Sequence, residues 1–296
     1  MDSIATHALD FFDGNHGQNS KAVARSLTNR LLSGLCIVLS LLTMVPLVSI
    51  LFLLLKNGLP LLGMQILTEL PPAAGMTGGG FGNAILGTLV MVAIGLSISA
   101  PAGILSAIYI NEYSPTSRLS QLVRLVAKLL TGIPSIICGV FAFAVVVTTT
   151  GTFSAYAGGM ALAVLMLPTI LLTSEQALLG VQSAYREAAY GLGATRFQTI
   201  VRVVLPDAFP AIMTGVMLAV ARAAGETAPL IFTALFSQFW AKSLNEPTAS
   251  LSVLIYNFST VPFPHQIAMA WTASLVLVAF VTLANISAQT LFSRKY

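Results

Sequence analysis

Long apolar runs constrain this chain more than any other feature of its sequence. About 20 predominantly apolar residues form a helix that crosses a bilayer, and the 296-residue sequence contains six such runs. Only 8% of the residues are charged, about a third of the share in a soluble domain. We therefore expect an all-α membrane protein with six transmembrane helices. The predicted spans are residues 31–55, 84–110, 125–150, 157–174, 211–236 and 267–292.

The basic residues predict how the chain crosses the membrane. With the N-terminus in the cytoplasm, eleven of the 14 Lys and Arg residues fall inside, two fall outside and Arg222 lies within a span. This bias follows the positive-inside rule, so the net charge of +4 indicates orientation and not nucleic-acid binding. We expect residues 1–30 to be a cytoplasmic segment and residues 31–296 to form one transmembrane domain, with both termini cytoplasmic. The inside residues are Lys21, Arg25, Arg30, Arg118, Arg124, Lys128, Arg186, Arg196, Arg202, Arg294 and Lys295, and the outside ones are Lys56 and Lys242.

A polar segment interrupts the apolar pattern at residues 183–210, SAYREAAYGLGATRFQTIVRVVLPDAFP. Its small residues and glycines are spaced like two short helices joined by a turn, and the loop that contains it covers residues 175–210. Small side chains let another protein approach closely, so we expect a docking surface and name residues 183–210 the docking segment. The residues that define it are Glu187, Ala188, Ala189, the turn glycines Gly191 and Gly193, and the closing Leu205 and Pro206.

Two ionisable residues lie in the fifth predicted span, within LAVARAAGETAPLIF. Arg222 falls near the middle of that span, where a charge costs about 2.5–3.5 kcal/mol and marks a functional site by default. Glu226, four residues later, would share a helix face with it, Thr227 adds a hydroxyl, and Pro229 loosens the helix nearby. The planar donors of a guanidinium suit tetrahedral oxyanions. We predict an anion pathway at these residues, the alternative being a buried ion pair that only fixes packing.

Several motifs are missing from the chain. The glycine-rich GMTGGGFGN at residues 75–83 fits neither G-x-G-x-x-G nor G-x-x-x-x-G-K-[ST], so we expect no nucleotide site here. Neither H-E-x-x-H nor G-x-S-x-G occurs, and the three histidines have no partner at metal-ligand spacing. The sequence therefore predicts neither an enzyme nor a chain with a metal or cofactor of its own.

The docking segment resembles the coupling-loop signature of ATP-binding-cassette importer permeases, which reads EAA, three residues, G, nine residues, I, one residue, LP. Glu187 begins the EAA, Gly193 is the glycine, and Val203 stands where the signature has isoleucine. The resemblance implies the six-helix bundle of the type I importer permeases. It also implies that the docking segment inserts into a cleft on a separate ATPase subunit.

Three further stretches are similar to the phosphate-specific permeases of this family, the PstA type. They are GIPSIICGV at 132–140, RAAGETAP at 222–229 and LNEPTASLSVLIY at 244–256, whose apolar part is too short to span and is predicted to be re-entrant or interfacial. The resemblance implies phosphate as substrate and a bacterial plasma-membrane location. It also implies a PstC-type partner permease, a dimer of cytoplasmic ATP-binding subunits that hold ATP and Mg, and an extracytoplasmic phosphate-binding protein.

Two alternatives to phosphate import stay open at this point. The chain could be a permease for another oxyanion such as sulfate or molybdate, because an arginine does not by itself choose between them. It could also be a membrane sensor or scaffold that transports nothing. A secondary transporter would not need the docking segment.

Overall fold

The computed structural model describes residues 3–292, with side-chain surroundings for residues 25, 26, 28–287 and 290. It separates into two compact units, Met1–Leu55 and Lys56–Tyr296. The side chains of Lys21, Arg294 and Lys295 lie outside the described residues. Every regular element described is helical: α1 Ser3–Gly58, α2 Met64–Thr68, α3 Gly82–Ile108, α4 Arg118–Thr131, α5 Ser135–Ala142, α6 Ala155–Leu179, α7 Ser183–Gly191, α8 Arg196–Thr199, α9 Leu205–Ala224, α10 Ala228–Ile231, α11 Leu251–Ser259 and α12 Pro264–Phe292.

Five helical stretches of the described chain are long and apolar enough to cross a membrane, and a sixth crossing results if one bent pair is counted as a span. Three of the helices continue through π-helical turns, at Tyr109–Tyr113, Phe143–Val147 and Ile200–Val204. The prediction of an all-helical membrane chain is confirmed, with six spans if the bent pair is counted as one of them. The five stretches are Thr28–Gly58, Gly82–Tyr113, Ala155–Leu179, Arg196–Ala224 and Pro264–Ser287.

The third predicted span, residues 125–150, is not one helix. It consists of α4 and a second helical stretch, Ser135–Thr150, and the two are bent by 107° at the short break between them. Pro134 lies in this break and is the N-cap of α5, where its missing N–H costs no hydrogen bond. The apolar part that can cross the membrane is therefore shorter than the sequence predicted.

Close helix packing builds the centre of the second unit. A Cβ on Gly95 of α3 would come within 3.1 Å of the Gly159 carbonyl oxygen of α6, and one on Gly103 within 2.9 Å of Ile170. Small residues allow such approaches where no hydrophobic effect drives helices together. Helix α9 packs against α6 in the same way, with Gly215 against Thr173.

The predicted re-entrant stretch contains α11, which is a short buried helix. Leu251, Val253 and Leu254 are 2% exposed or less. The Ser250 side chain caps its N-terminus by accepting a hydrogen bond from the Val253 N–H, and Thr88 Oγ1 accepts one from the Leu251 N–H at 2.9 Å. Both contacts satisfy backbone groups that would otherwise be costly to bury at a helix end.

Candidate functional site

The docking segment begins with a helix that ends in a glycine turn. Helix α7 ends at Gly191, and the turn closes with hydrogen bonds from Gly193 N–H to the Tyr190 carbonyl (2.9 Å) and from Ala194 N–H to the Ala189 carbonyl (3.0 Å). This is a Schellman motif, which needs a left-handed residue after the helix. Gly193 has φ +83° and fills that position, whereas Gly191 lies in the last helical turn. Of the two predicted turn glycines, only Gly193 is required by the backbone.

The second half of the docking segment does not close at Leu205 and Pro206 as predicted. Thr195 and Gln198 form a capping box that starts α8, and the helix then runs without interruption from Arg196 to Ala224. Pro206 is tolerated because it enters the first turn of α9 directly after a π-helical turn, where the Leu205 N–H donates to Ile200. The docking segment is thus continuous with a membrane-spanning helix.

The helix and turn of the docking segment present a free outer face. Glu187 and Ala188 are exposed on α7, whereas Ala189 is 8% exposed and packs inward. Leu192 at the turn is 89% exposed and Phe197 on α8 is 65% exposed. Apolar groups this exposed at the end of a membrane bundle are typical of a protein contact.

Arg186 anchors the docking segment to the rest of the bundle. Its guanidinium donates to Glu112 Oε1 at 2.7 Å and to the carbonyls of Val181 (2.7 Å) and Leu178 (2.9 Å). The Arg186 side chain is 20% exposed and that of Glu112 only 8%. Glu112 belongs to the π-helical turn that ends α3, so this pair joins α7 to α3.

Arg196 reinforces the same junction from the second helix of the docking segment. Its guanidinium donates to the Glu112 carbonyl and, at 3.3 Å, to the Tyr113 carbonyl. It also lies over the Tyr113 ring, 5.2 Å from the centroid, a cation–π geometry. Asn111 Nδ2 donates to Glu112 Oε1 at 2.8 Å, so Glu112 connects both helices of the docking segment to one turn.

A second buried ion pair holds α4 against α6. Arg124 Nε donates to Glu175 Oε1, and the other guanidinium nitrogens donate to the carbonyls of Pro115 and Ile110, each at 2.9 Å. The Glu175 side chain is 6% exposed. Neither ion pair was predicted from the sequence. The signal that could have found them is a carboxylate at the edge of an apolar span, because such a group needs a partner.

Arg222 and Glu226 lie where the long helix ends. Helix α9 stops at Ala224 and α10 starts at Ala228, so Arg222 is in the last helical turn and Glu226 is beyond the helix. The predicted span over residues 211–236 is therefore not one helix, and the prediction that the pair shares a helix face is wrong. Arg222 Nε is still 3.7 Å from Glu226 Oε1, and a cation in the last turn interacts favourably with the helix dipole.

The Arg222–Glu226 pair is loose. The Arg222 side chain is 51% exposed and that of Glu226 is 17% exposed. Glu226 is the only charged partner of Arg222 among the described residues, and no hydrogen bond joins them. The guanidinium donors are therefore available to another group.

Neighbouring helices stabilise the break between α9 and α10. Ser252 of α11 donates a hydrogen bond to the Glu226 carbonyl at 2.8 Å. The Thr227 carbonyl accepts from the N–H groups of Leu230 (3.1 Å) and Ile231 (3.2 Å). A Cβ on Gly139 of α5 would come within 2.5 Å of Pro229 Cα, so only glycine allows this approach. Contacts from α5 and α11 therefore stabilise the break between α9 and α10.

Comparison with known proteins agrees with this architecture. The profile of the family described as "Binding-protein-dependent transport system inner membrane component" matches residues 99–295. The chain belongs to this family, as the docking segment predicted, and is a multi-pass membrane permease subunit. In importers of this kind the ATPase and the substrate-binding protein are separate partners.

Curated relatives cover nearly the whole chain. A protein of Haemophilus influenzae named "Phosphate transport system permease protein PstA" is 38% identical over 94% of this chain and 98% of its own length. A Methanocaldococcus jannaschii protein named "Probable phosphate transport system permease protein PstA" is 35% identical over 81% of this chain and 85% of its own.

Solved structures show the same fold at low sequence identity. A bacterial alginate ABC transporter gives a TM-score of 0.64 at 20% identity, covering 89% of this chain and 94% of that chain. An inward-facing methionine ABC transporter gives a TM-score of 0.56 at 21% identity, covering 71% and 91%. The bundle is therefore that of an ABC importer permease.

Proposed function

We propose that this chain forms half of the pathway through which an ATP-driven importer moves inorganic phosphate into the cell. The half-exposed guanidinium of Arg222, at a helix break in an otherwise apolar bundle, is the observation that carries the proposal. The named function of the relatives that match 94% and 81% of the chain supports phosphate as the anion.

Arg222 is the proposed contact for the anion. A guanidinium offers up to five N–H donors in a plane, which suits the oxygens of a tetrahedral anion. With its nearest carboxylate oxygen 3.7 Å away, Arg222 has no strong bond to break before an anion binds. Phosphate would gain charge-assisted hydrogen bonds, which are about twice as strong as neutral ones.

Glu226 has the opposite role in this proposal. It balances the charge of Arg222 when no anion is present and weakens the hold of Arg222 on a bound one. A transport pathway requires that an anion can leave as well as enter. Thr227, the next residue, contributes a backbone carbonyl to α10 and a hydroxyl near the pair.

The remaining parts of the importer lie on other chains. We propose a PstC-type permease as the second half of the pathway, and an extracytoplasmic phosphate-binding protein that delivers the anion. We also propose a cytoplasmic dimer of ATP-binding subunits, which holds ATP and Mg and contacts the docking segment. The excess of basic residues near the docking segment supports a cytoplasmic location for it and for both termini.

The proposed mechanism is alternating access. ATP binding closes the ATPase dimer and displaces the docking segment, which passes the movement to α9 because the two are continuous. The same movement reaches α3 through Arg186 and Glu112. Arg222 then becomes accessible from the other side of the membrane.

Vesicles that contain the reconstituted complex test this function. Labelled phosphate should accumulate only when ATP reaches the ATPase side, and a tenfold excess of sulfate or molybdate should leave uptake nearly unchanged. Uptake that sulfate or molybdate displaces would identify another oxyanion as the substrate. ATP hydrolysis without uptake of any of the three would support the sensor or scaffold alternative.

A further inference from the structure

Helix α4 joins the ends of two consecutive spans. It follows the span Gly82–Tyr113 after a short turn and precedes the stretch Ser135–Thr150, from which it is bent by 107°. A helix bent this far from a spanning helix runs roughly along the membrane surface. Its position between two spans therefore puts α4 at the level of the membrane boundary.

One face of α4 is fixed to the protein. Ser120 is fully buried and Ala127 is 2% exposed. Arg124, on the same side, donates to Glu175 of α6 and to the carbonyls of Ile110 and Pro115. These contacts set the rotation of α4 about its axis, so the direction of its other face is also set.

The opposite face of α4 is apolar, and no described residue of this chain covers it. Its five side chains are spaced at helical intervals and 45–61% exposed, which forms a continuous apolar stripe. An apolar stripe opposite a polar face with basic residues is typical of interfacial helices. The stripe consists of Leu119, Leu122, Leu125, Val126 and Leu129.

The charge of α4 complements an anionic surface. Arg118–Thr131 contains three basic residues and no Asp or Glu. Arg118 and Lys128 are exposed, while Arg124 is used in the ion pair. Tyr109 and Tyr113, at the end of the preceding span, are each 43% exposed, and tyrosine is enriched at membrane interfaces.

We propose that α4 lies in the headgroup region of the leaflet on the docking-segment side, with its apolar stripe in the acyl chains and Arg118 and Lys128 on anionic lipid headgroups. The partner is a lipid surface, and the interaction does not depend on which anion the complex transports. Because Arg124 ties α4 to α6, the lipid contact also holds the membrane end of the bundle to which the docking segment is attached.

Depth-dependent quenching tests the location of the stripe. Single cysteines at Leu122→Cys, Leu129→Cys and Gln121→Cys, in a Cys36→Ser and Cys138→Ala background, would carry a bimane label in the complete complex in nanodiscs. Gln121 is the matched control, because it is exposed on the polar side of α4. Labels at 122 and 129 should be quenched at least about twofold more by brominated acyl chains than the label at 121, as expected for burial of about 5–10 Å. Aqueous iodide should give the reverse order.

A protein partner in place of lipid would give a different result. Labels at 122 and 129 that neither brominated lipid nor iodide quenches would show that another chain covers the stripe, and the proposal would be overturned. Strong iodide quenching at all three positions would place α4 in water and would overturn it as well.

The charge part of the proposal has its own test. Quenching and native mass spectrometry in nanodiscs of phosphatidylglycerol or phosphatidylcholine would measure the preference of the complex for anionic lipid. Arg118→Gln and Lys128→Gln should each lower this preference about fivefold, the change that ~1 kcal/mol per basic residue corresponds to. Arg202→Gln, an exposed arginine of the docking segment, is the control. Equal loss with Arg202→Gln, or no loss at all, would contradict headgroup binding by α4.

Discussion

The docking segment and the far end of the continuous helix Arg196–Ala224 use arginine in opposite ways. At the docking segment, Arg186 is 20% exposed and makes hydrogen bonds of 2.7–2.9 Å to a carboxylate and two carbonyls. At the other end, Arg222 is 51% exposed and has its carboxylate at 3.7 Å. The first arrangement fixes one geometry, whereas the second leaves donors free. The comparison separates arginines that hold the fold from one that can bind a ligand.

Removing the Arg186–Glu112 ion pair should have the largest effect on the stability of the complex. Arg186→Ala would leave Glu112 buried without its partner, which costs about 3–5 kcal/mol. We expect a much lower unfolding midpoint for the solubilised complex in thermal denaturation. Arg202→Ala, at an exposed position of the same segment, should change the unfolding free energy by no more than about 0.5 kcal/mol. Equal midpoints for the two variants would show that the Arg186–Glu112 pair is dispensable.

Removing the Arg222 side chain should lower phosphate transport but leave the stability of the complex nearly unchanged. Arg222→Ala takes away at least two charge-assisted hydrogen bonds to the anion, so we expect phosphate uptake into vesicles to fall about 100-fold or more. The complex should still assemble and unfold within about 1 kcal/mol of the parent protein. Arg222→Lys keeps the charge but loses the planar donors, so partial uptake is expected. Full uptake by Arg222→Ala would remove this residue from the pathway.

Substitutions at Ala188 and Ala189 should distinguish residues that contact the ATPase subunit from residues that pack inside the permease. Ala188 is exposed and Ala189 is 8% exposed. Ala188→Leu should weaken binding of the ATPase subunit by about 1–3 kcal/mol while the permease remains stable, and Ala189→Leu should destabilise the permease by a similar amount. ATPase pull-down and thermal denaturation measure the two effects. Unchanged ATPase binding by Ala188→Leu would contradict the proposed docking face.

Neutralising the Glu226 carboxylate should increase the affinity for phosphate. A partly exposed ion pair contributes up to about 1 kcal/mol, so Glu226→Gln should lower the KM for phosphate by about fivefold. The maximal rate should fall too, because the anion leaves more slowly. A higher KM would show that Glu226 positions Arg222 for binding and does not compete with the anion.

The two glycines near the end of α7 should differ in their effect on stability. Gly193→Ala forces a residue with a Cβ into a left-handed conformation, which costs about 1–2 kcal/mol. Gly191→Ala lies within the helix and should be neutral or stabilising by about 0.5–1 kcal/mol. Thermal denaturation of both variants checks the assignment of the turn to Gly193. A larger loss of stability for Gly191→Ala than for Gly193→Ala would contradict this assignment.

The parts of this structure that local sequence determines were predictable. The family and the all-helical membrane fold follow from the EAA residues and from the apolar runs, and both are confirmed. A loosening of the helix near Pro229 was also expected, because proline frees a carbonyl. The sequence did not indicate that the helix would end at Ala224, since the residues that stabilise the break, Ser252 and Gly139, are far away in the chain.

The two buried ion pairs could not be predicted for the same reason. Glu112 and Arg186 are 74 positions apart and Arg124 and Glu175 are 51 apart. Only folding brings them together, and periodicity along one helix carries no information about either pair. The 107° bend before Ser135 was hidden as well, because the apolar pattern continues through Pro134.

The uninterrupted helix Arg196–Ala224 sets the amplitude of any motion that starts at the docking segment. Its 29 residues at 1.5 Å each make a rod about 43 Å long. Tilting such a rod by about 10° around its docking end moves the far end by about 7 Å. A displacement of that size exceeds the width of a phosphate ion. A small rotation at the ATPase is therefore sufficient, in geometric terms, to carry Arg222 from one side of a narrow barrier to the other.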